Sequence, residues 1–272
     1  MNRRQLLISS MGAAGLSAGL PRLARAATGE ADPVGTIQVL TYHRFENREK
    51  PPGTIISPGL FAAQMQYLSD HQTNVVRLGE VEAQSKSGTI TGQSVAITAD
   101  DGWRTVFTEM FPVIQRHKLP ITLFLNPPMI GQGGAFLTWD MVAEMRASGL
   151  VDIHAHTLSH PNFNEERRKR PPANYAAFIR HEIADCRKLL EDKLGTQVES
   201  LAWPFGIHAP ELEAAAQEAG YTAAYALGSH PVTAGAPIFA LPRSQIYETD
   251  GVNRFAWMAA GHARKQPNNT MS

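Results

Sequence analysis

Short apolar runs alternate with longer amphipathic stretches along most of this chain. Residues 36–42 (TIQVLTY) are β-branched and apolar, which predicts a buried strand. Residues 44–58 are charged and rich in Pro and Gly, and predict a loop. Ser57-Pro58 starts a helix that carries Phe61, Met65 and Leu68 at helical spacing. Strands are predicted at 75–78 and 94–98, the second running into Ala99-Asp100-Asp101-Gly102. The alternation then becomes regular. Helices at 106–117, at 139–148, at 174–194 (stopped by Gly195) and from Pro210 to Gly220 separate strands at 121–125, 151–154, 200–202 and 221–227. Repeated β-α units predict an α/β fold with a parallel sheet, open or closed into a barrel. The basic run 167–170 beside Pro171-Pro172 predicts a solvated loop rather than a binding patch.

The two ends depart from this pattern. Arg3 and Arg4 precede an apolar stretch of small residues from 6 to about 20, and Ala24-Arg25-Ala26 supplies a small-residue cleavage site. Residues 1–26 therefore predict an export signal, and the paired arginines suit the twin-arginine route. The stretch is short for a membrane span and is broken by Gly12, Gly15 and Gly19, and no second apolar run is long enough. Stable membrane insertion after signal removal is not expected, and the periplasm or cell surface is the expected location. Residues 27–35 read as a linker, 36–245 as the main folded domain and 246–272 as a C-terminal extension with a polar tail from Gln266 to Ser272.

Composition narrows the partners. The 272 residues include one cysteine, Cys186, so no internal disulfide can form. The 25 basic and 25 acidic residues balance. Cleavage after Ala26 removes four arginines and no acids, leaving net −4. A mildly acidic protein has no pull toward nucleic acid or another polyanion.

Three clusters carry chemistry, and each follows an apolar strand, where parallel α/β folds collect their functional groups. The first is Asp100-Asp101-Gly102. Two adjacent carboxylates at a strand end point in different directions, so one can bind a metal while the other faces substrate. The second is His154-Ala155-His156-Thr157-Leu158-Ser159-His160-Pro161. Imidazole is the commonest protein ligand for zinc-like ions, and His156 and His160 are the stronger ligand pair, with His154 the weaker candidate. Two histidines and one carboxylate leave coordination positions open, as a catalytic site requires. The third is Trp203-Pro204-Phe205-Gly206, an aromatic surface on a rigid turn suited to a sugar-binding wall.

These clusters resemble the motifs of the polysaccharide deacetylases, carbohydrate esterase family four. Thr98 to Gly102 is similar to their Thr-Phe-Asp-Asp-Gly motif, with Ala99 in place of Phe. His156 to His160 matches their His-Ser/Thr-x-x-His motif, and Trp203 to Gly206 matches in part their Arg-x-Pro-x-Gly segment. The segment Leu40-Thr41-Tyr42-His43-Arg44 resembles the start of the branch acting on poly-N-acetylglucosamine of biofilm matrix. The resemblance spans roughly residues 36–245 and implies a distorted, incomplete (β/α) barrel. It further implies Asp100 as general base and Asp101, His156 and His160 as ligands of one divalent ion, zinc by default, with cobalt or nickel fitting the same set. The implied substrate is a carbohydrate polymer containing N-acetylated hexosamine. Trp203 stands where much of the family has the arginine that orients the base, so Arg243 is the expected substitute, with Arg104 a further option. For the general acid, His43, His230 and His262 are candidates, and His43 is favoured because it ends the first strand. An O-acetyl esterase, a small-amide hydrolase or a non-catalytic carbohydrate-binding protein are the competing functions for the same residues.

Overall fold

The fold is described from a computed structural model, in which residues 35–263 are described. The predicted export signal, all of the predicted linker except Gly35, and the residues from 264 onward lie outside the described residues.

The chain opens with β1 (Thr36–Tyr42) and a small parallel pair, β2 (Arg44–Phe45) and β3 (Ile55–Ile56). There follow α1 (Pro58–Asp70), β4 (Asn74–Val75), α2 (Leu78–Ser87) and β5 (Gln93–Asp100). Next come α3 (Phe111–His117), β6 (Ile121–Leu125), α4 (Trp139–Ala147) and β7 (Val151–Ala155). Three helices, α5 (Phe163–Lys169), α6 (Pro172–Arg180) and α7 (Cys186–Leu194), lead to β8 (Ser200–Ala202). The described chain ends with α8 (Pro210–Glu218), β9 (Ala223–Leu227), β10 (Leu241–Gln245) and α9 (Gly251–Ala259). Wide π-type turns at Val106–Met110 and His181–Asp185 lead into α3 and join α6 to α7.

The strands run in the order β1-β10-β9-β8-β7-β6-β5, and β5 pairs back onto β1 along seven residue pairs from Thr36↔Gln93 to Tyr42↔Ala99. Seven parallel strands thus close a barrel, one fewer than the eight of a complete (β/α) barrel. The distortion lies beside β5. Its last residues, Thr98 to Asp100, pair with β6, while Ser94 and Val95 pair with the two-residue β4. Because β1 lies between β5 and β10, side chains from two strands far apart in sequence meet across it.

Alternate residues of the strands fill the lumen. Ile37 and Val39 of β1, Ala96 of β5, Phe124 of β6, Ala202 of β8, Tyr225 of β9 and Leu241 of β10 pack as one cluster. The same cluster contains Leu78 and Val81 of α2 and Ile90, so α2 closes the end where the strands start. Opposite strand faces pack on the surrounding helices in a second, larger core. Burial on both faces is why the barrel strands read as continuous apolar runs.

Several helix starts follow from local chemistry. Ser57 Oγ accepts the Leu60 N–H at 3.3 Å at the start of α1, and Glu248 in turn holds the Ser57 N–H and hydroxyl at 2.7 and 2.9 Å. Thr138 and Asn162 cap α4 and α5 in the same way. Gly195 ends α7 at φ +66°. Arg167 to Lys169, expected in a loop, form the last turn of α5, where basic side chains complement the carbonyl end of the helix. Strand 75–78 gives way to β4 and then α2, whose few apolar residues left no helical stripe to read. In the 246–272 region, α9 packs Phe255 and Met258 into the core, with the Phe255 ring edge-on to Tyr67 of α1.

A buried carboxylate sits at the α2 end of the lumen. Glu82 Oε1 accepts the hydroxyls of Ser200 at 2.5 Å and Tyr225 at 3.1 Å. Burial raises its pKa above the ordinary 4.5, and the two hydroxyls only partly offset this. A carboxyl raised by folding contributes stability below its unfolded pKa and loses it as pH climbs through the folded value. Glu82→Gln should therefore raise Tm more at pH 7 than at pH 4; an equal change at both pH values in paired thermal melts would show that ionisation of Glu82 carries no folding cost.

Candidate active site

The loops after β1, β5, β7, β8 and β10 converge at the end of the barrel opposite α2. They surround a cavity of about 220 Å³ whose wall includes His43, Asp100, Asp101, His156, His160 and Arg243. Trp203, Phe205, Leu227, Thr54 and Gln245 complete it.

Asp100 is the last residue of β5 and is 2% exposed. Arg243 of β10, 1% exposed, meets it with both terminal nitrogens: Nη1 donates to Oδ1 at 2.7 Å and Nη2 to Oδ2 at 2.8 Å. Nη1 also donates to Thr98 Oγ1 at 3.2 Å, and the guanidinium lies 5.0 Å over the Phe124 ring. Burial opposes ionisation of Asp100, but the charge of Arg243, followed by His156, outweighs it and holds the carboxyl well below the usual carboxylate range. Arg104 makes no such contact; its backbone N–H bonds to Ala135 O in the neighbouring loop.

Asp101 leaves the strand at φ +71° and Gly102 follows at φ +77°. That reversal turns the Asp101 side chain away from the Arg243 pair and toward the histidines. At Gly102 a Cβ would stand 2.8 Å from Ile130 and 3.0 Å from Leu125, so the turn suits glycine for space as well as for φ. Asp101 Oδ1 lies 3.5 Å from His156 Nε2 and 3.7 Å from His160 Nε2.

His156 is fixed from behind. Its N–H donates to Leu125 O at 2.9 Å, and Nδ1 donates to Ala202 O at 2.8 Å. A carbonyl only accepts, so the proton sits on Nδ1 and the lone pair on Nε2. Burial, the leading effect, holds the His156 pKa below the ordinary value against the pull of Asp100 and Asp101. Nε2 is fully buried without a hydrogen-bond partner and faces the Asp101 carboxylate. The loop beyond is clamped at two points. Asn126 Nδ2 donates to the His156 and Thr157 carbonyls, and Glu182 accepts from Ser159 N and Oγ at 2.8 and 2.7 Å. His160 is partly exposed, with its ring 4.8 Å from His156 and 4.7 Å from Phe205.

The three groups fit a divalent ion. Ligand atoms of Asp101, His156 and His160 all lie within 4.8 Å of one another. Two ligands at zinc bond lengths in tetrahedral geometry are separated by roughly 3.3 Å, close to the Asp101–histidine spacings. An orphaned, neutral and buried imidazole nitrogen aimed at a carboxylate has no other evident partner.

The remaining candidates separate. His43 directs Nε2 toward Asp100 Oδ2 at 3.9 Å, and its Nδ1 is buried without a partner. His230 bonds to Pro231 O and His262 stacks on Trp257, and neither lines the cavity. His154 belongs to the barrel interior, where Nδ1 accepts the Ser200 N–H at 3.3 Å and the ring lies 6.2 Å from Phe124. Trp203 is fully buried and donates its indole N–H to Phe239 O at 2.8 Å, so it forms the floor of the wall. Phe205, 57% exposed, is the aromatic that faces outward. Pro204 is buried and starts the turn, and Gly206 ends it at φ +70°, where a Cβ would stand 2.6 Å from Leu227 N. Gln245 and Leu227 were not expected. Gln245 follows Arg243 by two residues on β10 and so shares its face, a signal hidden because Pro242 argues against a strand.

Arg243→Met should leave the buried Asp100 charge without its counter-ion. The expected loss of stability at pH 7 is about 3–5 kcal/mol. In the wild type the depressed Asp100 pKa contributes stability above the unfolded value, which is lost as pH falls. In the variant Arg243 no longer outweighs burial, which raises the pKa, so lowering pH to 4.5 should narrow the gap. Urea unfolding at both pH values measures this; a variant as stable as wild type at pH 7 would refute it.

A sequence model of the polysaccharide deacetylases matches residues 87–224. The poly-β-1,6-N-acetyl-D-glucosamine N-deacetylase of Staphylococcus aureus is 24% identical over 196 residues, covering 70% of this chain and 67% of that protein. Among solved structures, IcaB from Ammonifex degensii superposes with TM-score 0.72 at 24% identity, covering 83% of this chain and 97% of that one. The Streptococcus pyogenes deacetylase PplD in complex with acetate gives TM-score 0.73 at 19% identity, covering 83% and 98%. These structural likenesses show a shared barrel fold, and the sequence match over half of its length shows that this chain belongs to the polysaccharide deacetylase family.

Proposed function

We propose that this protein removes N-acetyl groups from a polymer of N-acetylated hexosamine by hydrolysis, outside the cytoplasm. The observation that carries the reading is the juxtaposition, in one cavity, of an Arg243-held Asp100 with the Asp101, His156 and His160 set. The curated name of the staphylococcal relative supports poly-β-1,6-N-acetylglucosamine as the substrate class. The signal-like sequence at 1–26 supports export.

Asp101, His156 and His160 would hold one divalent ion, with zinc the first choice for two imidazoles and a carboxylate. Bound there, such an ion supplies Lewis acidity, which polarises the acetyl carbonyl and makes water more acidic. Asp100 acts as the base. Held ionised by Arg243, it accepts the proton of the attacking water as the water oxygen bonds to the carbonyl carbon. So firmly ionised a carboxylate is a weak base toward ordinary water, and suits water whose acidity has been raised.

The C–N bond then breaks, and the amine nitrogen must gain a proton. His43, beside Asp100 and on the cavity wall, would provide it and would be reprotonated by the proton that Asp100 took from the water. The products are acetate and the free amine. Phe205 and Leu227 give the sugar ring an apolar face, with Trp203 beneath.

Acetate release from N-acetylglucosamine oligomers tests the reading. Wild-type protein should release acetate, lose the activity on chelation and regain it with zinc. Asp100→Asn should lower the rate by about 10²–10⁴-fold with zinc still bound. Zinc binding without release would redirect the reading to another acyl substrate, and absence of both would sink it.

A further inference from the structure

The hydrogen bond between Trp103 and Asp101 belongs to no role described above. Trp103 Nε1 donates to Asp101 Oδ2 at 2.9 Å, while Oδ1 of the same carboxylate faces both histidines. We infer that Trp103 is a positioning residue for the metal: its indole N–H occupies Oδ2, so that Asp101 presents one oxygen, Oδ1, to the ion. The inference rests on the metal site proposed above.

The indole is built to hold that position. Two successive left-handed residues, Asp101 and Gly102, fold the chain back so that residue 103 returns beside Asp101. A bridge to Phe136, the Arg104 N–H to Ala135 O and the Leu137 N–H to Gly102 O, both 2.9 Å, pin the segment to the loop before α4. On one side the Trp103 ring stacks with Phe136 at 4.7 Å and 21°. The Arg44 guanidinium lies 4.6 Å from the ring centroid, and Arg44 is itself paired with Glu46. A flexible donor could follow the carboxylate if it rotated. A ring held by a stacking partner, a cation and backbone bridges cannot, so rotation of Asp101 toward two-oxygen binding would break a charge-assisted hydrogen bond.

Trp103→Phe keeps the stack on Phe136 and removes the N–H. Its zinc affinity, read by competition with a chromogenic chelator, should fall by about 10–100-fold. The visible absorption spectrum of the cobalt-loaded protein should change as Asp101 gains freedom to bind through both oxygens. A merely packing role would leave that spectrum unmoved. Replacement of Trp103 by benzothienylalanine keeps the bicyclic ring and exchanges N–H for sulfur, so it gives the answer if Trp103→Phe does not fold, and should reproduce both effects. Wild-type zinc affinity and cobalt spectrum in either folded variant would overturn the inference and leave the metal site standing. Failure of the wild-type protein to bind zinc or cobalt would overturn the metal site, and this inference with it.

Discussion

The mouth of this barrel is organised by one buried ion pair. Removing a carboxylate and a guanidinium from water costs several kcal/mol per ion, and only close geometry returns it. Asp100 and Arg243 meet with both oxygens and both terminal nitrogens. Thr98 accepts a further N–H, and the Phe124 face lies under the cation. Thr98 also bonds to Leu40 O and lies 3.1 Å from Thr41 Oγ1, which ties the pair to β1. The pairing needs β5 and β10 to flank β1, so it exists only when the barrel is closed. Closure of the fold and the pairing that keeps the proposed base ionised once buried are therefore one event.

From that fixed point the division of labour between two neighbouring aspartates follows from backbone geometry. Asp100 completes the strand and points into the lumen. Asp101 departs at φ +71° and points at the histidines. Six non-glycine residues have positive φ among the described residues, and four of them, Asp101, Thr157, His160 and Phe205, are site residues or sit between the two histidines. Left-handed backbone at such residues costs of order 1–3 kcal/mol each, so the surroundings must over-determine it. Asn126 on two carbonyls and Glu182 on Ser159 do so at the histidine loop, and the Leu227 backbone against Gly206 does so at the Phe205 turn.

How much of this was legible in sequence depended on range. β6 at Ile121–Leu125 and β8 at Ser200–Ala202 could be read because a strand buried on both faces is an unbroken apolar run. The histidine pair and the adjacent aspartates could be read because their chemistry lies within a few residues. Arg243 was expected beside Asp100 only through the resemblance, as the substitute for the arginine that Trp203 displaces, since its partner lies 143 residues away and the pairing is a property of barrel closure. α2 was hidden because it plugs a barrel end: its inward face mixes Leu78 and Val81 with Glu82 and Ser85, so hydrophobic periodicity fails. β10 was hidden by Pro242, and the expected aromatic wall was divided by burial, with Trp203 taken into the core and Phe205 left outside.

The lumen itself shows why chemistry gathers at only one end. It holds a buried carboxylate near each end, Glu82 by α2 and Asp100 at the mouth. Their ionisation shifts in opposite directions, although burial pushes both upward. Glu82 meets neutral hydroxyls of Ser200 and Tyr225, whereas Asp100 meets a guanidinium. Between them lie Phe124, Tyr225, Val39 and Ala96, a low-dielectric plug in which no second cation supports Glu82 from within. One arginine therefore decides which carboxylate is a permanent anion. Arg243 itself lines the mouth, so its field acts directly on Asp100 and beside Asp101, His156 and His160. The filled lumen is thus more than a scaffold: Ile37, Val39, Phe124, Tyr225 and Leu241 stand between Glu82 and the Arg243 charge, which therefore counts at a single site.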